Sequence, residues 1–134
     1  MPLDVAALKE IPLFATLSDE ELEQLPPLFN EVSFTPGHVI AHEGRPGFGF
    51  FVIESGTAKV TVHGEERNSL GPGSYFGEIA LVDSGPRAAT VAAETPLTAH
   101  MLSGLEFRSL VGENPGLALP LLQGFWRMLG REDD

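Results

Sequence analysis

From residue 31 to residue 102 the chain is a succession of short β-type runs separated by turn residues, and this punctuation constrains the fold most. Val32-Ser33-Phe34 alternates and meets Pro36-Gly37. Val39-Ile40-Ala41-His42 runs into Glu43-Gly44-Arg45-Pro46-Gly47. Phe48 to Glu54 and Ala58 to His63 are divided by Ser55-Gly56, and Thr90 to Ala93 and Leu97 to Leu102 close the series. Strands recurring about every 8–12 residues with turn signals between them indicate a sandwich or barrel. Parallel strands need crossover helices, and no long helix fits between these runs. The hydrophilic stretch Glu65-Glu66-Arg67-Asn68 is expected at a hairpin tip.

The segment from Leu70 to Ala93 carries the chemistry. Gly71-Pro72-Gly73 marks a turn. Gly77 lacks a Cβ and so lets the backbone approach a partner closely. Glu78-Ile79-Ala80-Leu81-Val82 suffices for one or two helical turns, whose leading N–H groups suit an anionic oxygen. Asp83-Ser84-Gly85-Pro86 ends that helix with turn chemistry. Arg87 follows, flanked by Pro86 and the small residues Ala88 and Ala89. Two readings stay open for it: an ordinary arginine paired with Asp83, the nearest acid, or a cation turned inward to hold a phosphate. Glu78 adds a carboxylate able to accept a sugar hydroxyl.

Phe76-Gly77-Glu78-x-Ala80-Leu81, four residues, then Pro86-Arg87-Ala88-Ala89-Thr90-Val91 resembles the phosphate-binding cassette of cyclic nucleotide-binding domains. It is most like the form in regulatory subunits of cAMP-dependent protein kinase, without insertion or deletion between Glu and Arg. The resemblance implies an antiparallel β-roll, a jelly-roll-like double-stranded β-helix, with helices at both ends. It implies that Glu78 takes the ribose 2′-hydroxyl and Arg87 the cyclic phosphate. Gly77, Ile79, Ala80, Ala88 and Ala89 then complete the cradle. A Thr or Ser after the arginine favours cGMP in this family, so Ala88 points to cAMP over cGMP. Gly44-x-x-Gly47 and Ser55-Gly56 also resemble the family's roll. Phe48-Gly49 departs from it, standing where many relatives carry an acidic or polar residue.

The flanks read as helical. Val5, Leu8 and Ile11 give a short helix ended by Pro12-Leu13-Phe14. Ser18 and Glu21 form a capping box, with Leu17 placed to staple against Leu22. Leu22, Leu25, Leu28 and Phe29 continue an apolar stripe that Pro26-Pro27 should distort or end. The pattern Pro12-Leu13-Phe14-x-x-Leu17-Ser18-x-Glu20-Glu21-Leu22 resembles the family's entry segment. Leu105, Phe107, Leu110 and Val111 indicate a helix ending near Gly112–Pro115. Leu117, Leu121, Leu122, Phe125, Trp126, Met128 and Leu129 mark a last helix with Pro120 in its first turn. That helix is more apolar than one stripe requires. It can pack on the roll or, as the resemblance implies, form a lid over the base or a homodimer seam.

The expected organisation of the 134 residues is one domain. It comprises a helical segment 1–30, a β-roll 31–103 carrying the cassette 76–91, and helices 104–134. A formal charge of −11 argues against nucleic acid or an anionic membrane as partner. Repelling anions at long range, it leaves phosphate binding to short-range groups such as Arg87. The relatives that bind DNA continue into a helix-turn-helix, and none is seen here. The absence of cysteine excludes disulfides and zinc–thiolate sites. Met1-Pro2-Leu3-Asp4 does not resemble a signal peptide, and no run reaches the ~20 apolar residues that span a bilayer. The expectation is a cytoplasmic protein.

A metal-dependent enzyme on a related β fold would draw on His38, His42, His63, His100 and Glu43. His38 and His42 fall roughly 13 Å apart on an extended strand at ~3.3 Å per residue, too far for one metal. No catalytic or metal site is therefore expected. The sequence reads as a cyclic nucleotide sensor signalling through its helices to an effector protein or fused output domain. The alternatives are a ligand-free β-roll used for protein interaction, or the detached sensor of a larger transcription regulator or enzyme.

Overall fold

The computed structural model describes residues 3–47, 49–77, 81 and 86–124. They divide into two compact units: the described part of Phe29–Leu105, and the described residues up to Leu28 together with those from Glu106 onward.

The first unit is built of eight strands: β1 (Asn30–Phe34), β2 (Val39–Ala41), β3 (Gly49–Ser55), β4 (Ala58–Val62), β5 (Glu65–Leu70), β6 (Tyr75–Phe76), β7 (Thr90–Ala93) and β8 (Leu97–Ser103). They form two four-stranded sheets, β1-β8-β3-β6 and β2-β7-β4-β5, and each ladder is antiparallel. Both sheets contribute to one apolar core of Ala41, Phe51, Ile53, Ala58, Phe76, Val91, Ala93, Leu97 and Ala99. This is the antiparallel β-roll that the family resemblance implies, within the sandwich-or-barrel class that the strand spacing indicates.

β3 is the interior strand that matters most. Phe50, Phe51, Val52 and Ile53 are all buried, so its apolar run is continuous rather than alternating. Successive side chains leave opposite faces of a strand. Phe51 accordingly stacks on Phe76 at 4.9 Å, while Phe50 meets Phe29 at 6.1 Å and Tyr75 at 5.9 Å. Fully burying a side chain of this size stabilises by about 1.5–3 kcal/mol.

Glu65–Asn68 is not a hairpin tip. It lies within β5, paired with β4 from Val62↔Glu65 to Ala58↔Leu70. The turn itself is His63-Gly64, with φ of +53° and +80°, the mirror-image geometry that joins strands through two residues. β5 is an edge strand, exposed along most of its length. Its polar composition suits that edge, where charged side chains discourage pairing with other chains. A polar edge strand and a polar loop look alike in composition.

The second unit is helical. α1 (Val5–Lys9) is capped by Asp4, whose side chain accepts the Ala7 N–H at 2.8 Å. α2 (Asp19–Leu22) carries the expected capping box: the Glu21 N–H donates to Ser18 Oγ at 3.2 Å, and the Ser18 N–H donates to Glu21 Oε1 at 2.8 Å. α2 stops at Leu22 and Pro26–Leu28 forms a separate 3-10 turn; Pro26 disfavours the helical region at Leu25, which keeps the two from joining into one helix. Leu8, Leu13, Phe14, Leu17, Leu22 and Leu25 are buried. α3 (Gly104–Glu113), which belongs to this unit from Glu106 onward, brings Phe107 to 6.2 Å from Phe14. A 3-10 turn, Pro115–Leu117, leads into helical residues 118–124. There the Pro120 carbonyl accepts the Thr16 hydroxyl. The expected last helix beyond residue 124, including Phe125, Trp126, Met128 and Leu129, lies outside the described residues.

Candidate functional site

Residues 42–47, joining β2 to β3, run beside residues 86–90, which enter β7. Isolated bridges pair Glu43 with Arg87 and Pro46 with Pro86. The Gly44 N–H donates to the Arg87 carbonyl at 2.9 Å, and the Arg87 N–H donates to the Arg45 carbonyl at 2.8 Å. The Glu43 N–H donates to Thr90 Oγ1 at 3.0 Å. Arg87 thus sits on backbone held from both sides.

Its side chain turns toward three glycines. Arg87 Nη2 donates to the Gly49 carbonyl at 2.8 Å, and Nε is buried from solvent. A Cβ at Gly47 would overlap the guanidinium. At Gly77 it would lie 2.5 Å from the Gly49 carbonyl oxygen and 2.9 Å from Arg87 Nη2. Gly77 also has φ +88°, a conformation costly for residues with a side chain. Gly77 therefore provides the close approach read from the sequence, and the partner it approaches is Arg87 with Gly49.

The guanidinium opens on a cavity of about 320 Å³ lined by Ile40, Ala41, His42, Arg45, Pro46, Gly47, Phe51 and Arg87. Ligand sites commonly fall at about 300–1,000 Å³ and combine apolar walls with a few polar groups. Ala41 and Phe51 belong to the core, so part of the wall is rigid. A group with an apolar face and one anion matches this chemistry.

The candidate residues fall as follows. Gly77 and Arg87 come together. Ala88 is exposed, and Ala89 is half-buried. Glu78, Ile79 and Ala80, and Asp83 with them, lie outside the described residues. Leu81 is helical and fully buried.

The histidines disperse: His38 stacks on Phe34, His42 lines the cavity, His63 pairs with Glu43 and His100 Nε2 lies 3.9 Å from Glu54 Oε1. No group of three metal-ligating side chains occurs among the described residues.

The sequence reading missed the clearance provided by Gly47, the Gly49 carbonyl and the part played by Glu43. The carboxylate of Glu43 accepts the His63 N–H at 2.8 Å through Oε1, and Oε2 lies 3.1 Å from His63 Nδ1. It ties the β4–β5 turn to the loop beside Arg87. The glycine density at 44, 47 and 49 was the available signal for the first two.

No helix among the described residues is long and apolar enough to cross a membrane. The family model for the cyclic nucleotide-binding domain matches residues 31–114. A cAMP-dependent protein kinase regulatory subunit of Hypocrea atroviridis is 36% identical over 110 residues, covering 82% of this chain and 24% of that protein. The one from Emericella nidulans is 38% identical over 109 residues, covering 80% and 26%. The chain thus spans about a quarter of the length of these relatives. Among solved structures, the N-terminal domain of a transcriptional regulator from Streptomyces coelicolor A3(2) superimposes with a TM-score of 0.82. That match has 31% identity and covers 96% of this chain and 92% of the other. With the roll, the glycine-walled arginine and these matches in agreement, the chain belongs to the cyclic nucleotide-binding domain family.

Proposed function

We propose that this chain is a cytoplasmic cyclic nucleotide sensor, a binding module rather than a catalyst, with cAMP as its ligand. The observation that carries the reading is the Arg87 guanidinium, anchored on the Gly49 carbonyl at the wall of the cavity. In this reading the cyclic phosphate pairs with Arg87 through charge-assisted hydrogen bonds. Glu78 accepts the ribose 2′-hydroxyl, and Gly77, Ile79, Ala80, Ala88 and Ala89 line the cradle. The base rests against the apolar wall. Binding then biases the arrangement of the helices, and an effector protein or fused output domain reads the change. A homodimer through the last helix is one form this output can take. The names of the relatives support both kinds of output, a kinase partner and a transcription regulator.

Titration calorimetry with cAMP and cGMP tests the reading. Wild type should bind cAMP more tightly, and its melting temperature should rise with ligand, because ligand stabilises the form that binds it. Ala88→Thr should shift the affinity ratio toward cGMP several-fold, since one added hydrogen bond contributes about 0.5–1.5 kcal/mol. Absence of heat and of thermal shift with either nucleotide at saturation would sink the proposal. An unchanged ratio in Ala88→Thr would move base selection away from Ala88.

A further inference from the structure

We propose that Arg45 draws the anionic ligand to the mouth of the cavity and sets its rate of capture; the inference rests on cyclic nucleotide binding at Arg87. Arg45 and Arg87 line the same cavity and are joined directly, the Arg87 N–H donating to the Arg45 carbonyl. Their side chains differ in what holds them. Arg87 is half-buried, walled by Gly47 and Gly77, and fastened to the Gly49 carbonyl. Arg45 is exposed, and among the described residues its side chain enters no hydrogen bond or ion pair. The acid two positions before it, Glu43, is directed to His63 and forms no ion pair with Arg45. Arg45 is therefore an uncommitted cation at a cavity built to take an anion.

The rest of the molecule makes that cation matter. A net charge of −11 opposes the approach of a cyclic phosphate. Exposed charges act over about 8 Å at physiological ionic strength, so a cation on the loop beside Arg87 is within range of an incoming phosphate. A rim charge of this kind changes association and its salt dependence more than dissociation. The division of labour follows from exposure: Arg45 attracts, and Arg87 holds.

Stopped-flow association of a fluorescent cAMP analogue with this chain tests the assignment, using wild type, Arg45→Ala, Arg45→Lys and Arg45→Glu at low and high ionic strength. Arg45→Glu should slow association about tenfold at low salt and Arg45→Ala about threefold, with dissociation within about twofold of wild type. Arg45→Lys should associate nearly as wild type, and the differences should shrink at high salt. Because Arg45 is exposed, circular dichroism should show the same fold in all four. If wild type binds while Arg45→Glu associates at the wild-type rate with the same salt dependence, the role of Arg45 is refuted and the sensor reading stands. A change confined to dissociation likewise refutes it. If wild type binds no cyclic nucleotide, both readings fall together.

Discussion

The turn at 71–74 and the segment 47–49 are both rich in glycine, and they use it for different reasons. At Gly71 and Gly73 an added Cβ would meet open space. Gly73 is needed because its φ is +87°, and the Ser74 N–H closes the turn on the Gly71 carbonyl at 2.9 Å. That is a left-handed residue after proline, as such a turn demands. Gly47 has ordinary backbone, yet a Cβ there would overlap the Arg87 guanidinium. At Gly49 it would lie 2.7 Å from the Leu102 carbonyl oxygen. Gly73 is required for its own backbone, Gly47 and Gly49 for what the fold brings against them. Substitution at the first should therefore cost stability alone, and at Gly47 it should cost binding.

The largest effect belongs to the group that Gly47 makes room for. Arg87→Ala should lose roughly 2–5 kcal/mol of cAMP binding, as expected on truncating one partner of a desolvated charge pair. Arg87→Lys should fall between, keeping the charge and losing the fork. Calorimetric affinity equal to wild type in Arg87→Ala would remove the cation from the site and, with it, the reason for Gly47.

Gly47→Ala comes next. The guanidinium must leave its place against the Gly49 carbonyl, and cAMP affinity should fall by about 1.5–3 kcal/mol, the contribution of a hydrogen bond to a charged group. Combined with Arg87→Ala, the same substitution should lower affinity no further, since the group it displaces is gone. A double-mutant cycle measures this directly, and additive losses would break the comparison.

The smallest effect is at the other turn. Gly73→Ala should cost about 1–2 kcal/mol in urea unfolding, the penalty for a left-handed residue with a Cβ. Its cAMP affinity should be that of wild type. Gly71→Ala, with open space and no positive φ, should leave both quantities nearly unchanged. Weakened binding in Gly73→Ala would show that the two turns are not separate in function.

Much of the fold was legible because its signals are local. The Ser18–Glu21 box lies within one helical turn, and both of its hydrogen bonds form. The strand runs carry their own period and their own turns. Glu65–Asn68 misled because composition reports exposure, and an edge strand is as exposed as a loop. The two-residue β6 is too short to show a period, and its place beside β3 depends on the closed sheet.

At the site, the chain alone determined that a single arginine between a proline and two alanines follows a glycine and a carboxylate at family spacing. It also determined that the surroundings are acidic and turn-rich. Those are properties of neighbours a few bonds apart. That Arg87 reaches the Gly49 carbonyl, 38 positions away, was decided only in three dimensions. The same holds for the clearance that Gly47 and Gly77 give its guanidinium and for the Glu43 carboxylate that ties the β4–β5 turn to this loop. Hydrogen bonding and steric exclusion act over a few ångströms, and sheet closure alone brings such distant residues within that range.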